Sequence, residues 1–433
     1  MTVFLAALLL HQGPLDAYVG AQDGAFHWRH EQTAPSDGGA RHRLSLTSQT
    51  WRGVTWKHSL ELREPPEVEF KGIALLIITG GRGATDPDDR IALRLARQTG
   101  VPVATLYDVP NQPLFGDRRE DDLIAHTFEQ FMMTGQEDWP LLLPMAKSAV
   151  RAMDALEAFS KEKTGNPLTR FIVAGASKRG WTTYLTAVAD PRVMAIAPMV
   201  FDMLNMPAQL EHQKESWGRY SPMIGDYTER GLPQLLDTAP GRRLLRIVDP
   251  FTYRERLTMP KLILLGANDP YWTTDALNLY WDGLPTPKAV HYAPNAGHGL
   301  DDNDRVLNAL AAFCRLTASG RLLPRFDWEW QRTRGGERKL EFEGAVLTMR
   351  AGTAKRFRLW QAESDSRDFS KAGWHVIQEA EEPRRFTAPL TPAGEFHALF
   401  GEAEFSVDGI TFALCTQPII LSSTLPRLRP YSP

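Results

Sequence analysis

The sequence has little cysteine, no excess of one sign of charge and no apolar run long enough to span a bilayer. Two cysteines among 433 residues, Cys314 and Cys415, exclude a disulfide-rich scaffold and a zinc site of four cysteines. The count leaves open a single disulfide between them. With 49 Lys and Arg against 52 Asp and Glu, the net charge is −3. The chain therefore has no basic excess to hold a phosphate backbone, which argues against nucleic acid as a partner.

The N-terminal apolar stretch, residues 3–10 (VFLAALLL), is too short to cross a membrane. It is similar to the apolar part of a signal peptide, but no Lys or Arg precedes it and no small-x-small cleavage site follows. Residues 1–25 are therefore predicted to be either a signal segment or a short N-terminal helix packed on the body. We favour secretion, and a cytoplasmic location stays open.

Residues 26–318 alternate between strand and helix patterns, which predicts an α/β domain. Aromatic and β-branched residues alternate with charges up to about residue 70, as in antiparallel strands. Beyond that point, continuous apolar runs typical of strands buried on both faces are separated by helical patterns. One of these helices is expected to start with Asp86 as its N-cap and to stop at Gly100. Strands alternating with helices predict a mostly parallel, doubly wound sheet. The apolar runs are residues 73–78, 101–107, 171–174, 193–200, 262–265 and 289–292.

Two further segments depart from this alternation. Residues 203–257 form a long connection rich in polar and aromatic residues, which is either a lid over a site or a plain surface insertion. Residues 317–324 (TASGRLLP) have the composition of a linker. Short strand patterns with regular turn signals follow, so residues 325–427 are predicted to be an antiparallel β-sandwich. Length alone suggests roughly three domains, whereas these patterns indicate two.

The segment RFIVAGASKRGW, residues 170–181, has the pattern of a nucleophile elbow. An apolar strand ends at Gly175, Ser177 follows, and a helix begins, which would place the serine hydroxyl at the tip of a sharp turn. The usual elbow has glycine two positions after the serine, whereas this chain has Arg179 there and Gly180 one residue later. The alternative is that Ser177 only caps the helix.

A serine nucleophile needs a base and a carboxylate to orient it, and both follow later strands in the expected order. Asp269 lies just after the apolar run KLILLG, and His298 lies between glycines after the run AVHYA. The carboxyl ends of parallel strands are where such sheets place their sites. Asp249 and Asp275 are competitors for the acidic role. Among the other histidines, His126 and His212 are the two that could reach the pocket.

Other residues near the elbow have candidate roles in binding. The backbone N–H of Lys178 and that of Gly81, in the loop 79–82 after the first long parallel strand, are the predicted oxyanion donors. The side chain of Lys178 or Arg179 would add positive charge, unless the two form a solvated pair. Trp217 in the lid and Trp272 beside Asp269 could line an aromatic acyl or sugar pocket, or they could simply pack in the lid and core.

Long stretches of the sequence resemble the PhoPQ-activated pathogenicity-related protein family (PqaA type). The resemblance covers nearly the whole chain and is most specific in residues 108–114, 140–155, 175–206 and 268–285. It implies an α/β-hydrolase fold with an immunoglobulin-like tail and a secreted or periplasmic location. It also keeps a peptidase open, since relatives are linked to dipeptidyl-peptidase-like architecture. In addition, G-A-S-K-R-G resembles the elbow of glucuronoyl esterases, in which a basic residue at the position of Lys178 helps to bind the oxyanion.

These residues together predict a serine hydrolase that cleaves a carboxylic ester through an acyl-enzyme, with no metal and no organic cofactor. A small molecule or a peptide would be its substrate, and the sequence does not predict an oligomeric state. One alternative is an aminopeptidase, for which Glu211, Glu215 and Asp226 are candidates to hold the substrate ammonium. The others are a glucuronoyl-esterase-like carbohydrate esterase and a non-catalytic binding or signalling protein on the same fold.

Overall fold

The computed structural model describes residues 13–300, 304–335, 342–388 and 395–422. The apolar run at residues 3–10 and the last five residues of the predicted domain 325–427 lie outside these ranges. Within them, residues 14–20 form helix α1 (Pro14–Gly20), whose Leu15 and Val19 are buried against the body. The side chain of Arg256 forms two hydrogen bonds with Asp16 at 2.7 and 2.8 Å, which fixes this helix to the body.

In the described part of the chain, nine strands form one large sheet in the order β1-β2-β3-β5-β4-β6-β7-β8-β9. The first three strands and the β3–β5 pair are antiparallel, whereas β5, β4, β6, β7, β8 and β9 are parallel neighbours. This order fits the predicted α/β-hydrolase fold. The strands are β1 (His27–Ser36), β2 (Gly39–Trp51), β3 (Val54–Glu64), β4 (Ile73–Ile78), β5 (Val103–Leu106), β6 (Arg170–Ala176), β7 (Val193–Met199), β8 (Lys261–Gly266) and β9 (Lys288–Ala293).

Helices cover both faces of the sheet, which explains the continuous apolar runs of its central strands. In β4, Leu76 and Ile78 join the apolar cluster on one face, and Leu75 joins the cluster on the other. The helices of this α/β body are α2 (Asp86–Thr99), α3 (Glu120–Thr134), α4 (Leu142–Lys163), α5 (Lys178–Ala189) and α10 (Asp304–Ala318).

Two of these helices differ from the sequence-based expectation. The N-cap of α2 is Thr85 rather than Asp86, because the Thr85 hydroxyl accepts the Asp88 N–H while the Asp88 carboxylate accepts the Thr85 N–H. This reciprocal pair satisfies two amide groups at the helix start. Helix α3 was not predicted. Its signals are the acidic start Glu120-Asp121-Asp122 and the stop at Gly135, which adopts the left-handed conformation.

The connection between β7 and β8 folds into a layer of short helices over the carboxyl edge of the sheet. We call residues 203–257 the lid. Its α-helices are α6 (Met206–Trp217), α7 (Gly225–Thr228), α8 (Leu232–Leu235) and α9 (Ala239–Val248), with 3-10 turns at Pro222–Ile224 and Pro250–Arg256.

The C-terminal part of the chain forms two antiparallel sheets, one of three strands and one of five, counted over the described residues. They pack face to face, since a Cβ added to Gly401 of the larger sheet would meet Leu347 and Met349 of the smaller one. A two-layer β domain is therefore observed, and the immunoglobulin-like assignment stays a prediction. The strands are β10 (Asp327–Gly335), β11 (Phe342–Arg350), β12 (Arg356–Ser364), β13 (His375–Ala380), β14 (Arg385–Ala388), β15 (Phe396–Val407), β16 (Ile410–Cys415) and β17 (Ile419–Ser422).

The two cysteines do not pair. Cys314 of α10 and Cys415 of β16 are both free and buried, which closes the question of a disulfide between them. None of the helices in the described ranges is both long and apolar enough to cross a bilayer.

Candidate active site

The parallel strands end together at one edge of the sheet, and the predicted triad lies on the loops beyond it. Register pairs Gly175 of β6 with Pro198 of β7, and Gly266 of β8 with Ala293 of β9. Ser177, Asp269 and His298 therefore follow the ends of β6, β8 and β9 and converge although they are far apart in sequence.

The three side chains form a continuous hydrogen-bonded chain. His298 Nε2 lies 2.8 Å from Ser177 Oγ, and His298 Nδ1 lies 2.7 Å from Asp269 Oδ2. Asp269 is buried, while His298 and Ser177 are partly open to solvent. With Nδ1–H donating to the carboxylate, Nε2 is left free to accept a proton from the serine hydroxyl.

The backbone at Ser177 has the strained conformation of a nucleophile elbow. Its φ is 58° and its ψ is −126°, so a non-glycine residue occupies positive φ space. Glycine is needed on either side because the chain passes very close to itself. A Cβ on Gly175 would lie 2.6 Å from the carbonyl oxygen of Arg179, and one on Gly180 would lie 2.9 Å from that of Met199. The close approach of helix α5 to β7 is thus made at Gly180 instead of at position 179, where the usual elbow has its glycine and this chain has Arg179.

Tyr271 holds both other members of the triad in place. Its backbone N–H donates to Asp269 Oδ1 at 2.9 Å, while its ring stacks on that of His298 with centroids 4.1 Å apart and an interplanar angle of 29°. Both oxygens of Asp269 are thus used, one for His298 and one for the loop. The ring of His298 is confined on one side by Tyr271.

The competing acids and histidines have other partners. Asp249 accepts N–H groups from Phe251 and Met206 at 2.9 Å each and so caps local turns. Asp275 accepts from His212 at 2.8 Å and from Arg367 at 2.9 Å. His126 packs against aromatic rings, with the centroid of Phe115 at 5.5 Å. Among these candidates, Asp269 is the carboxylate that the structure brings to His298.

Lys178 and Arg179 are buried rather than solvated, and their charges are balanced by the first turn of α3. Arg179 forms two hydrogen bonds with the Glu120 carboxylate, both at 2.7 Å. Lys178 Nζ lies 2.9 Å from Glu120 and 3.3 Å from Asp121. Burial raises the pKa of Glu120, but hydrogen bonds from Arg179 and the charges of Arg179 and Lys178 outweigh it and hold that pKa well below its usual range.

Arg179 therefore bonds to protein groups beside the elbow, and its predicted contact with substrate stays a prediction. Its Nε donates to the carbonyl of Val109 at 2.6 Å, and its guanidinium fills the space beside Gly80 that any Cβ would occupy. The glycine at position 80 thus admits Arg179. The Gly81 N–H is directed at Thr79 Oγ1 at 3.4 Å, and Gly81 is not among the described residues that line the cavity at Ser177. The role of Gly81 as an oxyanion donor stays a prediction.

An apolar cavity opens beside Ser177 between the lid and the body. Trp272 lies in its wall. A place in the pocket was one of the two alternatives predicted for this residue. Trp217 does not line the cavity; its Nε1 donates to the carbonyl of Arg367 in the C-terminal domain at 3.2 Å. Within the described residues, no group of three or more His, Cys, Asp and Glu side chains is arranged to hold a metal ion.

Sequence reasoning missed three residues of this site: Glu120, Asp121 and Tyr271. The acidic triplet before a helical pattern at residues 123–131 was the available signal for the first two. No local pattern marks Tyr271, because its stacking on His298 depends on two loops that meet only in the folded chain.

Comparison with known proteins identifies the family. The profile of the PhoPQ-activated pathogenicity-related protein family matches residues 15–370. The chain belongs to this family. A relative of this chain is the autocrine proliferation repressor protein A of Dictyostelium discoideum. It is 35% identical over 335 residues, which cover 73% of this chain and 67% of that protein.

Solved structures similar to this PhoPQ-related protein are distant. Acetyl xylan esterase 1 from a Thermoanaerobacterium species is 16% identical, with a TM-score of 0.47, over 70% of this chain and 91% of the other. A glucuronoyl esterase from Solibacter usitatus is 12% identical, with a TM-score of 0.41, over the same shares, 70% and 91%. An S-formylglutathione hydrolase from Agrobacterium tumefaciens is 15% identical, with a TM-score of 0.44, over 68% and 100%. At these values the likenesses do not bear on substrate or activity.

Proposed function

We propose that this protein is a serine hydrolase that cleaves a carboxylic ester through an acyl-enzyme intermediate. The observation that carries the proposal is the hydrogen-bonded chain from Ser177 through His298 to Asp269, with links of 2.8 and 2.7 Å. A serine hydroxyl is scarcely ionised at neutral pH, and this arrangement is the one that activates it. The strained elbow that exposes Ser177 supports the same conclusion, since backbone strain of this kind is concentrated at functional sites.

In the proposed reaction, Ser177 Oγ attacks the acyl carbonyl while His298 Nε2 accepts the hydroxyl proton. The imidazolium so formed is stabilised by Asp269. The tetrahedral intermediate then expels the alcohol, which takes its proton from His298, and the acyl group stays on Ser177. Water attacks this ester while His298 takes its proton, and His298 then returns that proton to Ser177 Oγ as the bond to the acyl group breaks and the carboxylic acid leaves.

The oxyanion would be held at the start of α5. The backbone N–H of Lys178 follows the nucleophile directly and is the proposed first donor. The N-terminus of α5 adds a favourable field for the developing negative charge. The Lys178 side chain makes a smaller contribution than expected from the sequence, because Glu120 and Asp121 balance its charge.

The charges around the cavity favour an ester over the substrate of an aminopeptidase. Such a peptidase holds the substrate ammonium on free carboxylates, whereas Asp121, which lines the cavity, is paired with Lys178 and accepts the hydroxyl of Tyr227 at 3.0 Å. Glu211 and Glu215 are exposed on α6. Neither they nor Asp226 are among the described residues that line the cavity.

The pairing of Lys178 with Glu120 and Asp121 also makes a glucuronoyl ester a less suitable substrate. A uronic acid substrate offers polar hydroxyls, and recognising them takes polar groups in the pocket. The described cavity wall is mostly apolar, and its basic side chain, that of Lys178, is paired with two carboxylates.

A fluorophosphonate probe tests the proposal, because it reacts covalently with activated serines. We expect the protein to be labelled and Ser177→Ala to abolish the labelling. Ser216→Ala, which alters a half-buried serine on lid helix α6, is the matched control and should be labelled like the wild type. Absence of labelling, or labelling that survives Ser177→Ala, would contradict the proposal and favour a binding or signalling protein. Cleavage of an Ala-Pro anilide faster than p-nitrophenyl acetate would instead support the peptidase.

A further inference from the structure

The cavity beside Ser177 is formed jointly by the body and the lid. Most of the residues that line it are apolar, and Ser177, Lys178 and Asp121 also line it. The body contributes aromatic rings and the lid contributes mainly aliphatic side chains. The apolar residues that line it include Phe128, Trp181, Phe201, Met203, Met206, Leu210, Ile224, Leu232, Leu236, Leu244, Leu245 and Val248.

Most polar atoms in this wall already have partners within the protein. Trp181 Nε1 donates to the carbonyl of Val248, and the Tyr227 hydroxyl donates to Asp121. Lys178 Nζ is held by Glu120 and Asp121. Among the described residues of the wall, Trp272 Nε1 is buried without a hydrogen-bond partner. A sugar or a charged group placed in the cavity would lose several hydrogen bonds to water, and this one donor is too little to replace them, which costs free energy. An alkyl chain has no such cost and gains by leaving water.

The size of the cavity limits the length of that chain. The cavity volume is about 90 Å³. A cavity of roughly 150 Å³ holds the six carbons of benzene, so this cavity has room for about three or four carbons. Accepting the proposed ester hydrolase activity of Ser177, we propose that this cavity is an acyl pocket for short unbranched aliphatic chains of about four carbons.

A series of p-nitrophenyl esters from acetate to palmitate measures this preference directly. Each methylene buried in the pocket should raise kcat/KM by about fourfold, the equivalent of about 0.8 kcal/mol. We expect kcat/KM to rise from acetate to an optimum near butanoate and to fall for longer chains. A flat series, an optimum at acetate or beyond hexanoate, or a cinnamoyl ester preferred over butanoate would each overturn the proposal.

Variants in the lid test whether this cavity sets the preference. Ile224 is buried and lines the cavity, whereas its neighbour Met223 is 43% exposed and is not among the lining residues. Ile224→Trp should reduce the pocket and lower the ratio of butanoate to acetate hydrolysis about tenfold. Met223→Trp is the matched control and should leave that ratio unchanged. An unchanged ratio in Ile224→Trp would assign the preference elsewhere and overturn the inference.

A second pair, Leu236→Trp and Leu235→Trp, guards against loss of folding in the first. Leu236 lines the cavity and Leu235 is exposed, so the same contrast is expected. The thermal midpoint of each variant identifies any that unfolds. Failure of the acyl pocket is also distinct from failure of the hydrolase. A protein labelled at Ser177 by fluorophosphonate but indifferent to chain length disproves the pocket alone, whereas one that is not labelled disproves both.

Discussion

Carboxylates near the site differ sharply in how well they are paired. Asp269 and Asp275 have hydrogen-bond partners on both oxygens. Asp202, which follows β7, is fully buried, and its Oδ1 has no hydrogen-bond partner in the structure. Burial, reinforced by the negative charges of Asp269 and Asp275, raises the pKa of Asp202 to about 7. Ionisation of the Asp202 carboxyl therefore lowers the free energy of unfolding.

Replacing Asp202 should remove a loss of stability at higher pH. Its pKa is raised from 3.8 to about 7 on folding, so the folded state binds the proton more tightly, and wild-type stability should fall as pH rises through this interval. Asp202→Asn lacks this loss. The free energy of unfolding of Asp202→Asn minus that of the wild type should be about 2–3 kcal/mol larger at pH 8 than at pH 5.

Urea unfolding at the two pH values measures this difference. The exposed Asp237→Asn in the lid is the matched control and should give parallel curves with the wild type. A pH dependence of Asp202→Asn equal to that of the wild type would show that Asp202 does not titrate in this range.

At the scale of elements, the N-termini of α3 and α5 face each other beneath the nucleophile. The acidic first turn of α3 suits the positive end of its own dipole. Lys178 and Arg179 are unfavourable at the start of α5 for the same reason, and both are buried. Glu120 offsets this cost by bonding to both. The conformation of Glu120 is fixed in turn by Gln112, whose side chain accepts the Glu120 N–H at 2.8 Å.

Removing the negative charge of Glu120 should affect both catalysis and stability. Glu120→Gln leaves Arg179 buried without its counter-charge, while Lys178 keeps Asp121. We expect the free energy of unfolding to fall by about 1–3 kcal/mol, less than for a fully buried pair because Glu120 is partly exposed. The value of kcat should fall about tenfold, since the Lys178 amide would be less firmly placed.

Glu129→Gln is the matched control for this change. Glu129 lies on the same helix with a side chain of similar exposure, 43% against 41% for Glu120, and its carboxylate lies 3.9 Å from His126. Stability and ester hydrolysis should both stay near wild type. Equal effects of the two substitutions would show that the contact between α3 and α5 has no special role.

At the scale of the whole molecule, the C-terminal domain is joined to the loops that carry the triad. Asn268, directly before Asp269, donates to the carbonyls of Phe369 at 2.9 Å and Ala372 at 2.7 Å. Asn295, three residues before His298, exchanges two hydrogen bonds with the backbone of Trp374, at 2.9 and 2.7 Å. The β domain thus braces the acid and base loops from outside.

Removing one of these hydrogen bonds should lower kcat and leave substrate binding largely unchanged. Asn268→Ala frees the loop of Asp269, so kcat should fall about three- to tenfold while KM for a butanoate ester changes little. Asn278→Ala is the matched control, because Asn278 also bonds across to the C-terminal domain, at Pro418 with 2.9 Å, but outside the triad loops. It should cost comparable stability and leave kcat intact. Equal kcat values in the two variants would contradict the bracing role.

Much of the framework could be predicted from local patterns. Apolar runs placed the parallel strands to within a few residues, and the helix predicted to begin after Ser177 is observed at Lys178–Ala189. Ser177, Asp269 and His298 were selected because each follows a strand end, and parallel strands end at one edge. These predictions needed no knowledge of distant contacts, since a strand or an elbow is written in consecutive residues.

The sequence by itself determined the α/β body, the order of the candidate triad and the position of the lid, because periodicity and turn residues act over short spans. The tertiary structure alone decided which charges meet. It assigned Arg179 to Glu120, 59 positions away, placed Trp217 against the C-terminal domain, and stacked Tyr271 on His298. Such pairings depend on packing and burial between segments remote in sequence, and a local pattern contains no information about them.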